Sequence, residues 1–125
     1  MAIYFPSDDP KGLLEAFGEA TQNRQRGSTK PSIDTWRRLS YPDGYRYTHT
    51  DKSKQCEDKA LLQPVPENGQ LAFYVKEFSP QVPVTRPVYA FYVGHLIETF
   101  IDHFDTKFTE ASTTPDPEGE HAAFL

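Results

Sequence analysis

The sequence predicts an α+β fold. An antiparallel sheet of about four strands, built from two hairpins, carries an N-terminal helix and a long C-terminal helix on one face in a two-layer arrangement. Three observations predict it: a capped apolar stripe near the N-terminus, two turn signatures set between β-rich runs, and a strong helical periodicity after Pro87. At 125 residues the chain fits a single domain. Residues 1–110 are expected to form it, with 111–125 as a flexible acidic tail rich in Thr, Pro and Glu.

The first helix starts at Asp9-Pro10. Asp9 accepts from free first-turn N–H groups, and proline suits the first helical position. Leu13, Leu14, Phe17 and Ala20 then recur at helical spacing, and the helix ends by Asn23, ahead of the polar residues 24–31.

Residues 33–40 and 45–50 flank Tyr41-Pro42-Asp43-Gly44, a hairpin signature. With Gly44 as a bulge, Tyr41 faces Tyr45, Leu39 faces Tyr47 and Arg37 faces His49. The opposite face then carries Trp36, Arg38, Arg46, Thr48 and Thr50; a one-residue slip would exchange the faces. The second hairpin joins residues 60–65 to 71–78 around Glu67-Asn68-Gly69. A two-residue Asn-Gly turn puts Leu62, Phe73 and Val75 on one face and Gln63, Tyr74 and Lys76 on the other. Pro64 donates no ladder bond, which predicts an edge strand or one whose N–H side is free.

Residues 79–87 hold three prolines and read as an extended linker. In the helix that follows, Val93, Leu96, Ile97, Phe100, Ile101, Phe104 and Phe108 share one side. His95, Glu98, Thr99, Asp102 and Thr106 share the other, a solvated polar face. Burial at about 1.5–3 kcal/mol per large side chain makes this helix a main contributor to the core.

Only 37% of residues are hydrophobic, but 14% are aromatic, and large rings close a core that aliphatics would leave thin. The single cysteine, Cys56, excludes an intramolecular disulfide and fits a reducing compartment. The N-terminus lacks the basic start and apolar run of a signal peptide, and no stretch has the length of a membrane span, so a cytoplasmic location is expected. Residues 24–59 hold nine Lys/Arg against five Asp/Glu, whereas the segments on either side are acidic, for a net charge of -5. That asymmetry bears on association rather than on fold.

The candidate site is the sheet face opposite the helices. The two registers place Trp36, Arg38, Arg46, Tyr74 and Lys76 there, an aromatic and cationic set suited to stacking and to anions. An ordinary solvated sheet face would carry similar residues. The partners this surface fits are a second copy of the chain or an acidic protein. A further alternative is a weak nucleic-acid or anionic-ligand binder acting through Arg38, Arg46 and Lys76, weakened by the absence of an aromatic ribonucleoprotein signature. The leading expectation is a non-enzymatic interaction module.

The alternative is a small enzyme whose site gathers His49, Cys56 and His95. Lysines near Cys56 favour a thiolate, Glu57 and Asp58 oppose it, and no cysteine-enzyme signature surrounds it. His95 and Glu98 have metal-ligand spacing without a visible third ligand. Neither a metal nor a cofactor is predicted: the chain has no glycine-rich phosphate loop, nucleophile elbow or zinc spacing. The run Val88-Tyr89-Ala90-Phe91-Tyr92-Val93-Gly94-His95-Leu96-Ile97-Glu98 resembles segments of small uncharacterised bacterial proteins. His103-Phe104-Asp105, Tyr47-Thr48-His49-Thr50 and Leu61-Leu62-Gln63-Pro64 fit the same pattern. The resemblance implies a bacterial setting and carries no activity, cofactor or catalytic residue.

Overall fold

The computed structural model describes residues 1–22, 33–50 and 57–115. In chain order the elements are β1 (Ala2–Pro6), α1 (Pro10–Gln22), β2 (Trp36–Tyr41), β3 (Gly44–His49), β4 (Leu61–Glu67), β5 (Gln70–Lys76), α2 (Arg86–Phe104) and β6 (Ser112–Thr113). The class is α+β with two helices, and the antiparallel sheet has six strands in the order β2-β3-β4-β5-β1-β6, not about four.

The two additional strands lie at the ends of the described chain. In β1, Ile3 and Phe5 alternate with Tyr4, the period of a strand, and the segment pairs with β5 through Ile3↔Phe73 and Phe5↔Leu71. β6 adds Ser112 and Thr113 beside Tyr4 and Ile3, inside the stretch whose composition reads as tail. It is held there by the Tyr89 hydroxyl, which lies 2.6 Å from Thr113 Oγ1, 2.6 Å from the Thr114 carbonyl and 3.1 Å from the Ala2 carbonyl. Residues 116–125, the rest of that tail, lie outside the described chain.

Both helices start at side-chain caps. The Gly12 N–H donates to Asp9 Oδ1 at 3.1 Å at the start of α1, and the Val88 N–H donates to Thr85 Oγ1 at 3.4 Å at the start of α2. Phe17 from α1 and Phe100 from α2 both meet Phe73 of β5, with centroids 5.8 and 5.7 Å away. Phe5 of β1 stacks on Phe100 at 4.3 Å, so four rings from four elements form the centre of the core.

The buried stripe of α2 differs from the expected one. It is Tyr89, Tyr92, Leu96, Phe100 and Phe104, whereas Ile101 is 55% exposed. Two tyrosines near the helix start offer more apolar surface than Ile97 and Ile101, and their hydroxyls have polar partners inside. The helix turns accordingly, which brings His95 and Thr99 off the solvated face to a half-buried position.

The second hairpin has the predicted register, with Leu62↔Val75 and Gln63↔Tyr74 about the Asn68-Gly69 turn. Its Pro64 lies in an interior strand of the sheet, but β3 pairs with β4 only at Tyr47↔Leu62. The first hairpin departs from expectation. Tyr41 pairs with Gly44 across a two-residue turn, and Gly44 has φ 133, a value that favours glycine. The ladder therefore sets Trp36 opposite His49 and Arg38 opposite Tyr47. Burying the indole decides between the two registers, since the bulged alternative would leave Trp36 outside and Arg37 inside.

Candidate functional site

The register divides the five predicted site residues between two sides of the sheet. Trp36 has no exposed surface, and its Nε1–H donates to Thr99 Oγ1 of α2 at 3.0 Å. Arg38, across from Tyr47, shares that side. A Cβ at Gly18 of α1 would lie 3.0 Å from Tyr47 Oη and 3.5 Å from Arg38 Nη1, so the bare glycine lets the helix rest on this pair. Trp36 and Arg38 thus leave the predicted surface, because β2 is displaced by one residue against β3.

Arg46, Tyr74 and Lys76 remain on the other side, by strand alternation from Tyr47, Phe73 and Val75. There the Arg46 guanidinium sits 4.3 Å from the Tyr41 ring centre and 3.3 Å from Asp43. The Tyr74 hydroxyl donates to Glu67 Oε2 at 2.7 Å, and Gln70 donates to Glu67 Oε1 at 2.8 Å. Tyr4 meets Tyr74 edge-on at 6.4 Å. Sequence reasoning missed Tyr4 and Glu67 as members of this face. The Tyr4 signal was the Ile-Tyr-Phe alternation at the N-terminus; that of Glu67 lay in its position across the turn from Gln70.

The Tyr47 phenol has a clearly altered proton affinity. Burial pushes it from 10.0 up to about 12, against the Arg38 charge and hydrogen bond, which favour the phenolate. Between pH 10 and 12 the unfolded chain loses this proton while the folded chain keeps it, so stability falls as pH rises through that window. The loss has a slope of up to about 1.4 kcal/mol per pH unit. Urea unfolding across that range should show it, and Tyr47→Phe should lack that part of the slope; an identical pH profile in the variant would refute the assignment.

Of the three residues of the enzyme alternative, two lie among the described residues. His49 and His95 do come together, with ring centroids 5.0 Å apart, and His95 stacks on Phe91 at 4.1 Å. His49, however, has no exposed surface and is walled by Trp36, Phe91 and Tyr92. Cys56, the third member, lies outside the described residues. Among the described residues no three His, Cys, Asp or Glu side chains gather to hold a metal ion, and no helix is long and apolar enough to cross a membrane.

Comparison with known proteins leaves the reading to these residues alone: no protein-family model matches the chain, and neither a curated protein nor a solved structure matches it.

Proposed function

We propose that this chain is a non-enzymatic interaction module whose binding surface is the sheet face bearing Tyr4, Arg46, Tyr74 and Lys76, and that its partner is a second copy of itself. The observation that carries this reading is the layout of the second hairpin. Glu67 and Gln70 sit at one end of its outer face and Lys76 at the other, with Ala72 and Tyr74 between. A two-fold axis through the middle of that face sets Lys76 of one copy against Glu67 of the other, the self-complementarity an isologous interface requires. The helices support the same reading. Each delivers a phenylalanine to the Phe73 side, and the half-buried Tyr4, Val65 and Tyr74 lie on the other.

Sedimentation over a wide concentration range tests it. The natural chain should dimerise, and Lys76→Glu or Glu67→Lys alone should weaken the dimer by about tenfold or more. The double exchange should restore it by returning opposite charges to each contact. A chain that stays monomeric at every concentration overturns the proposal, as does a double variant no better than either single one.

A further inference from the structure

The tip of the β4–β5 hairpin combines a reactive side chain with a free main-chain nitrogen. In an asparagine-glycine pair the nitrogen after the asparagine can attack the side-chain amide, because glycine has no side chain to shield it. The chain has two asparagines, Asn23 and Asn68, and only Asn68 precedes a glycine. Both Asn68 and Gly69 are exposed.

The peptide unit between them is untethered. The flanking pair, Glu67↔Gln70, carries the ladder bonds of a two-residue turn. Among the described residues nothing donates to the Asn68 C=O or accepts from the Gly69 N–H. Gly69 has φ 83, and a Cβ placed on it would meet no atom within 4 Å. The unit can therefore turn its nitrogen toward the Asn68 side chain without losing a hydrogen bond or striking a neighbour. The other hairpin has Asp43 before Gly44. There the side chain is a carboxylate held by Arg46 at 3.3 Å, a poorer electrophile than an amide.

We propose that Asn68 is a site of spontaneous deamidation, and that the change releases this hairpin tip from the turn between β1 and α1. The Gly69 nitrogen, deprotonated by hydroxide, attacks Asn68 Cγ. A bond from that nitrogen to Cγ replaces the Cγ–Nδ2 bond, and ammonia leaves with a proton taken from water. Water then opens the cyclic imide on one of its two sides. Opening at Cγ gives aspartate. Opening at the main-chain carbonyl gives isoaspartate, whose chain runs through Cγ and is longer by a carbon.

Both products add a negative charge to a cleft that Asn68 shares with Asp8, Asp9 and Glu67, where Lys11 is the one cation. The new charge is repelled by those three carboxylates. The Ser7 N–H ties the tip to the β1–α1 turn by donating to the Gly69 carbonyl at 3.0 Å. Isoaspartate also lengthens the turn, which disturbs the Glu67↔Gln70 register that positions this carbonyl.

The test ages the full chain in mildly alkaline buffer, with peptide mapping by mass and an enzymatic assay for isoaspartate. Asn68 should convert at least about tenfold faster than Asn23, which precedes Arg24. The rate should rise in proportion to hydroxide. It should also stay within about tenfold of the rate in guanidinium chloride, because the native turn leaves the peptide unit free. In the isoaspartyl chain, and in Asn68→Asp for the charge alone, exchange of the Ser7 N–H should quicken by about threefold or more. Asn68→Ser should keep its Ser7 protection through the same ageing. Conversion at Asn68 no faster than at Asn23 overturns the proposal, as does far stronger protection in the folded chain; neither needs a variant to fold. Unchanged Ser7 exchange in the isoaspartyl chain overturns the release.

Discussion

Replacing Phe100 by alanine should cost about 3–5 kcal/mol, the range for removing a buried phenylalanine and leaving its cavity. Its ring touches five others. It stacks on Phe5 at 4.3 Å and meets Phe17, Phe73, Phe104 and Phe108 at 5.2, 5.7, 5.3 and 6.1 Å. Those partners come from β1, α1, β5, α2 itself and the segment after it, so no single neighbour can collapse into the space. Domains of this kind have about 5–15 kcal/mol of stability in all, and the variant should unfold at a temperature lower by more than about 10 °C. Ile101→Ala is the control. Helical periodicity puts both residues in one apolar stripe, but Ile101 is 55% exposed, and its removal should change stability by no more than about 0.5 kcal/mol. Similar losses for the two variants in thermal or urea unfolding would refute the orientation assigned to α2.

Tyr92→Phe should cost about 2–4 kcal/mol although it removes one atom. The ring remains packed against Trp36 and His49, so the hydrophobic contribution is kept. What is lost is an acceptor. The Tyr92 hydroxyl takes the Lys59 N–H at 3.2 Å and the His49 N–H at 3.4 Å, and lies 3.3 Å from Thr48 Oγ1. It thereby does for β3 and the start of β4 what a strand pair would do, at the end of a ladder that has one register position. Without it the buried His49 N–H and the half-buried Lys59 N–H lose this acceptor, and a buried group left so costs about 1–3 kcal/mol. Hydrogen exchange should quicken first at His49 and Lys59. Tyr45→Phe, which alters a 49% exposed phenol, should leave both unchanged. A Tyr92→Phe chain with natural stability and natural exchange at those two amides would show that the hydroxyl is dispensable.

How much of this was legible in the sequence follows the distance over which each feature is decided. The Asp9 cap and the Asn68-Gly69 turn are set by neighbouring residues, and the chain folds there as its local pattern predicts. The Pro42-Asp43-Gly44 turn is compatible with two registers. Only the burial of Trp36 against Thr99, distant in sequence, selects one of them and carries Trp36 and Arg38 away from the candidate surface. β6, two residues long, is too short for periodicity to declare it, and β1 shows only the brief Ile-Tyr-Phe alternation; both form because β5 and Tyr89 offer partners from elsewhere in the chain.

By itself, then, the sequence determined the α+β class, both helices, both hairpins and the face shared by Tyr74 and Lys76, since caps, turn dipeptides and side-chain alternation act within a few residues. The tertiary structure decided the six-stranded sheet, the rotation of α2 and the side taken by Trp36. Each of these is a contest between distant groups for buried area or for a hydrogen-bond partner, and such contests are resolved only when the elements meet.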